Sequence, residues 1–267
     1  MKSKSNFLKF SIELAKSAGK IQMSYFGKIS SLNKKSSSID LLTIADKESE
    51  IYIINKIKKK YPNHSILSEE SGEINNDNEY RWVIDPLDGT TNFVHNLPIF
   101  AVSIALQKNN KTICAVVYNP AADKCFYAQK ESSAYLNDQK INVSKSDNLN
   151  DSLLVTGFPY LHDERYDLSF EIFKEFYDRT RGLRRLGSAA LDLCFVAMGR
   201  FDGYYEYNLY PWDICAGAFI LEKSGGKVTD WDNSKLKLSG ERILATNNYI
   251  HSNMINILNQ DKYKLFF

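Results

Sequence analysis

The sequence has little that could staple a fold covalently. Its 267 residues include four cysteines, Cys114, Cys125, Cys194 and Cys215, with no C-x-x-C spacing and apolar neighbours. That excludes a disulfide framework and argues against a zinc site, and the four read as buried thiols of a reducing compartment. An excess of charge of one sign is also missing, since 34 basic residues stand against 32 acidic ones. No strongly basic surface then makes nucleic acid or a membrane the main partner. Eighteen apolar residues never run together, and polar residues break each apolar stretch of "MKSKSNFLKFSIELAKSAGK". Neither a membrane span nor a secretory signal is expected, and a cytoplasmic location is the corollary. Internal repeats, low-complexity tracts and Pro/Gly-rich linkers are absent as well.

What is present falls into two textures. A hydrophobic content of 43% in 267 residues suffices for one large core or two modest, fused ones. Phe7, Phe10, Leu14, Ala18, Ile21 and Tyr25 step by three and four, a helix stripe ending near Gly27. "NKKSSSID" reads as a polar loop before a second helix around "KESEIYIINKIKKKY". The pieces "RWVID", "FAVSIAL", "TICAVVYNP", "KCFYAQK" and "AYLNDQKINV" then follow as strands, and polar turns between several of them predict an antiparallel meander. Beyond about residue 150 strands alternate with helices, as sheets covered by helices in layers require. The expected division is 1–145 and 146–267, fused as one unit.

"WVIDPLDGTTNF" crowds Asp85 and Asp88 onto one turn at the end of an apolar run. Like charges this close repel, so a positive group is expected there. Pro86 removes a donor, which leaves the Leu87 carbonyl free to face the same point as the carboxylates. Carboxylate and carbonyl oxygens together suit a hard divalent cation. Asp88 reads as the N-cap of a helix at "GTTNF", with the Gly89 and Thr90 amides directed at an anion such as phosphate. Alone, D-x-x-D-G is equally an exposed, well-capped turn. Two further pieces tip the balance: Glu69 and Glu70 in "SILSEESGE", and Asp213 in "NLYPWDICAGAF".

In combination these segments resemble the inositol monophosphatase family of magnesium-dependent, lithium-sensitive sugar-phosphate phosphatases. "WVIDPLDGTTNF" looks like its first signature and "WDICAGAFILEKSGG" like its second. "GSAALDLCFVAMGRFDGYYE" is similar in character, and the resemblance spans about residues 5 to 260. It implies a layered αβαβα sandwich, of α/β (α+β) class, commonly a homodimer. It implies that Glu69, Asp85 and the Leu87 carbonyl hold the tighter of two or three magnesium ions, with manganese as a substitute. Asp85, Asp88 and Asp213 would hold the second, and Glu69 a third through water. Asp46 with Thr90 would orient the attacking water, Gly89 and Thr90 would bind phosphate, and Ala189 and Glu206 would meet sugar hydroxyls.

The reaction so implied hydrolyses inositol monophosphate or a similar polyol phosphate. A fructose 1,6-bisphosphatase or a nucleotide 3′-phosphatase is the alternative, but no basic cluster near the motifs announces a second phosphate. An accessory role in transcription is a reading of another class, with "RTRGLRRLG" (Arg179, Arg181, Arg184, Arg185) as its candidate surface. That run otherwise reads as a solvated face or dimer edge. His95 reads as a loop residue, and Trp212 as a wall behind Asp213.

Overall fold

A computed structural model describes residues 3–28, 38–159, 163–238 and 241–267. The chain opens with α1 (Asn6–Tyr25) and α2 (Ser38–Lys60). Ser5 caps α1, its hydroxyl accepting from the Leu8 amide at 3.2 Å. The first five residues of "NKKSSSID" lie outside the described residues, and its last three already belong to α2.

An eight-stranded sheet follows, from β1 (Ser65–Ser68), β2 (Gly72–Ile74), β3 (Tyr80–Asp88), β4 (Ala101–Lys108), β5 (Lys111–Asn119), β6 (Lys124–Gln129), β7 (Tyr135–Leu136) and β8 (Gln139–Lys140). Its order is β2-β1-β3-β4-β5-β6-β7-β8. From β3 to β8 it is the expected antiparallel meander, while β1 pairs with β3 in parallel. The turn helix α3 (Thr90–Val94) sits between β3 and β4.

The later half forms a five-stranded sheet of order β10-β9-β11-β13-β12. Its strands are β9 (Leu153–Thr156), β10 (Gly182–Arg184), β11 (Gly203–Tyr207), β12 (Lys227–Thr229) and β13 (Arg242–Thr246). The helices α4 (Tyr166–Arg179), α5 (Ala189–Ala197), α6 (Pro211–Lys223) and α7 (His251–Leu258) alternate with them. β10 lies inside "RTRGLRRLG", so the middle of that run is an edge strand and not simply a charged face.

Alternation along the strands builds the layers. Ile84, Ile104 and Val116 face α1 and α2, whereas Val83, Ala105 and Ala115 face α5 and α6. Val155, Tyr204 and Ala245 of the second sheet close the other side of that central helical layer. Leu154, Tyr205 and Leu244 point outward onto α4 and α7. The result is the αβαβα sandwich. Being covered on both sides explains why "AALDLCFVA" is apolar nearly all round.

Candidate active site

Parallel pairing of β1 with β3 brings the ends of two acid-bearing segments together. Glu69 follows β1 directly, and its amide donates to the Ile84 carbonyl at 3.3 Å. At the end of β3 the register slips: Asp85 opposes Ser103, but Asp88 opposes Ala101. This one-residue bulge re-aims the last side chains of the strand. The Leu87 amide donates to Asp85 Oδ1 at 2.9 Å. The Leu87 side chain is buried with Ala45, Phe93 and Phe100, so its backbone is what it offers to the cleft.

Asp88 does not cap α3, as the sequence led us to expect. The N-cap is Gly89, with φ of +91°. A side chain there would be strained, and its Cβ would lie 2.9 Å from the Ile99 carbonyl oxygen. The bulge instead turns the Asp88 carboxylate to the start of α5, where the Ser188 hydroxyl and the Ala190 amide (3.0 Å) donate to Oδ2. Unpaired amides of a helix N-terminus attract a carboxylate from any chain segment that reaches them.

Glu69, Asp85, Leu87, Asp88, Gly89, Thr90, Ala189, Glu206 and Asp213 line one cleft of about 240 Å³. Asp213 sits in the first turn of α6 and accepts from the Tyr210 amide at 2.7 Å. Trp212 stacks on Tyr210, with centroids 5.0 Å apart. Glu206, on β11, accepts from the Tyr204 hydroxyl at 2.6 Å. Asp46 stands behind the wall on α2, buried, with Oδ1 lacking a hydrogen-bond partner. Among the described residues no hydrogen bond joins it to Thr90. His95 is exposed at the end of α3 and does not line the cleft.

Burial and mutual repulsion raise the pKa of these acids. Desolvation, reinforced by Glu69 and Asp88, pushes Asp85 well above the ordinary carboxylate range. Desolvation in the cleft raises Glu69 to about 7, although its side chain at the rim still meets solvent. Asp85 lies close enough to Glu69 to offset part of the rise in its pKa. Asp46 and Asp213 are raised by desolvation and neighbouring acids to about 8. Glu206 is raised by desolvation to about 7, against the pull of Tyr204 and Arg185. Asp88 rises only to about 6, because Ser188 and the α5 amides stabilise its anion.

The inositol monophosphatase family model matches residues 3–263. An inositol-1-monophosphatase of Synechocystis sp. is 43% identical over 93% of this chain and 87% of its own. A putative Nus factor SuhB of Neisseria meningitidis serogroup B is 40% identical over 94% and 97%. The solved inositol monophosphatase of Anabaena (Nostoc) sp. superposes with a TM-score of 0.83 at 44% identity, over 94% of each chain. The chain belongs to the inositol monophosphatase family.

The donors of this family member fit a hard divalent cation. They are oxygens only, carboxylates and one backbone carbonyl, and crowded acids with raised pKa values lack a counter-charge. Among the described residues no three such side chains are already gathered round one point, so a bound ion would have to draw them in.

Three contributors escaped the sequence reading. Ser188, at the N-cap of α5, was legible as a hydroxyl before an apolar helical run. Gly157 leaves the room that Glu206 fills, since a Cβ there would meet its carboxylate at 2.2 Å. Arg185 lines the cleft, although the run that holds it reads from sequence as a solvated face or dimer edge.

Proposed function

We propose that this protein is a magnesium-dependent phosphomonoesterase that converts inositol monophosphate, or a similar polyol phosphate, to the alcohol and inorganic phosphate. The observation that carries the reading is the convergence of acids from β1, β3, β11 and α6 on one cleft beside the first turns of α3 and α5. Divalent cations, when bound, supply Lewis acidity and neutralise charge at a phosphate. Glu69, Asp85 and the Leu87 carbonyl would hold one ion; Asp85, Asp88 and Asp213 would hold a second; Glu69 would reach a third through water.

The chain's own groups do the rest. Gly89 and Thr90 present amides to the phosphate, while Ala189 and Glu206 meet the alcohol's hydroxyls. In the loaded site the Thr90 hydroxyl would turn toward Asp46, which in its ionised form would take the proton of the attacking water through it. The ester P–O bond breaks and the alcohol leaves with a proton from solvent. We assign no covalent phosphoenzyme. The reading extends to a homodimer, lithium inhibition, a cytoplasmic location and two fused halves meeting near residue 145.

The Neisseria relative's name favours one other reading, an accessory role in transcription. Two of the four arginines that would serve it are engaged within the chain: Arg179 pairs with Glu175 at 3.0 Å and Arg181 with Asp151 at 3.3 Å. A phosphate-release screen with magnesium decides between the two. The substrates are inositol phosphates, fructose 1,6-bisphosphate, adenosine bisphosphate and NADP. Turnover of an inositol monophosphate is expected, and turnover of none of them would favour the accessory role.

A further inference from the structure

We infer that Glu50 of α2 is a positioning residue for the cation site: its carboxylate tethers the loop that carries Glu69, and so sets the affinity of the cleft for a divalent cation. This rests on the cation-loaded phosphatase reading of the same cleft.

Glu69 stands where a ligand is hard to keep still. Residues 69–71 form the tip of the β1–β2 hairpin, closed by the pair Ser68 and Gly72, and all three are exposed. Strand β2 is three residues long and forms the edge of the sheet. Loop tips move more than the strands they join, so a site built on one needs outside support. From the sheet that support is the bond of the Glu69 amide to the Ile84 carbonyl. From the helices it is Glu50. Its Oε1 accepts from the Ser71 amide at 3.0 Å and its Oε2 from the Ser71 hydroxyl at 2.6 Å.

Glu50 is buried, and a buried carboxylate is costly unless its oxygens are hydrogen-bonded. Both of them are spent on Ser71, as charge-assisted bonds that grip the tip two residues beyond Glu69. The helix behind them is firm, because Ile53, Ile54 and Ile57 of α2 pack into the core against the first sheet. Asp46 lies four residues before Glu50, on the same face of α2. One helix face therefore fixes Asp46 directly and Glu69 through Ser71. The charge of Glu50 is felt at both acids and works against their ionisation. What Glu50 contributes is then the tether, not the charge.

Three substitutions separate the two. Glu50→Gln keeps the length and can still bond the Ser71 amide and hydroxyl, without the charge. Glu50→Asp keeps the charge but falls a methylene short, and Glu50→Ala removes both. Magnesium affinity is measured by calorimetry, alongside the half-saturating magnesium and kcat for an inositol monophosphate, with Tm as the check on folding. The Kd for magnesium should rise about 10–100-fold in Glu50→Ala and Glu50→Asp, as for a lost outer-sphere partner, and stay near wild type in Glu50→Gln. At saturating magnesium kcat should change little, because the bound ion draws Glu69 back. Ser71→Ala, at an exposed position, should show a smaller loss and add little to Glu50→Ala. Wild-type affinity in Glu50→Asp with a loss in Glu50→Gln would overturn the inference in favour of charge. An unchanged Kd in Glu50→Ala, even with a lowered Tm, would overturn it as well. If the Glu50 variants do not fold, Ser71→Ala decides, and an unchanged Kd there overturns the tether. Magnesium binding without turnover would sink the phosphatase reading while calorimetry still decides Glu50. A wild type that binds no magnesium would overturn both.

Discussion

The Ser188 hydroxyl donates to the Asp88 carboxylate across 100 residues of sequence, and that bond joins the first signature to the start of α5. Asp88 holds the α5 N-terminus, and in the proposed function it also presents oxygen to a cation. Asp88→Asn separates the two. An amide oxygen still accepts from Ser188 and Ala190, but an amide is a poor ligand for a hard ion. Magnesium-dependent turnover should fall by more than the roughly 100-fold typical of losing an outer-sphere partner. Stability should drop by no more than about 1–2 kcal/mol. Steady-state rates and a denaturant melt check both parts. Full activity in this variant would remove Asp88 from the site.

Gly157→Ala tests the seat of Glu206. The new Cβ would fall 2.2 Å from its carboxylate oxygens, so Glu206 must swing away from the Tyr204 hydroxyl. The kcat/KM for an inositol monophosphate should fall about 10–100-fold, as for a lost charged hydrogen bond. An aryl phosphate without hydroxyls should lose far less. Equal losses on both would mean that Glu206 does not read the alcohol.

Thr90→Ala keeps the amide proposed to face phosphate and deletes the hydroxyl. The expected result is a kcat lowered about 10²–10⁴-fold with KM little changed. Thr90→Ser should recover much of the rate, and Asp46→Asn should resemble Thr90→Ala. The double variant should be little worse than either, because two residues acting as one unit are not additive. Additive losses, or a normal kcat with a raised KM, would leave Thr90 as a phosphate holder only.

What could be read from sequence was whatever is local. The stripe from Phe7 to Tyr25 predicts α1, and the polar turns predict the meander, because period and turn chemistry act over a few residues. The partner of Asp88 was not legible, since the cap it forms belongs to a helix far along the chain. The four arginines of "RTRGLRRLG" look alike as letters. Strand β10 separates their directions, sending Arg185 to the cleft while Arg179 and Arg181 form surface pairs. Parallel pairing of β1 with β3 is equally non-local, though it is what sets Glu69 beside Asp85.

The central claim is that these acids await divalent cations, and thermal melts against pH and magnesium test it most directly. In the cation-free protein the folded acids titrate late, Asp88 at about 6, Glu69 at about 7, Asp213 and Asp46 at about 8. The unfolded carboxyls ionise near about 4. The folded state therefore binds more protons than the unfolded one across that window. Stability from these groups is complete below about pH 4 and is lost as pH rises through about 6 to 8. A cation that binds the ionised acids expels those protons and reverses the trend. Without magnesium, Tm should be lower at about pH 8 than at about pH 5. Added magnesium should raise Tm with concentration at about pH 8, by up to about 2.7 kcal/mol of stability at a hundred times Kd, and release protons as it binds. A Tm indifferent to millimolar magnesium and manganese at about pH 8, with no proton release, would contradict the account.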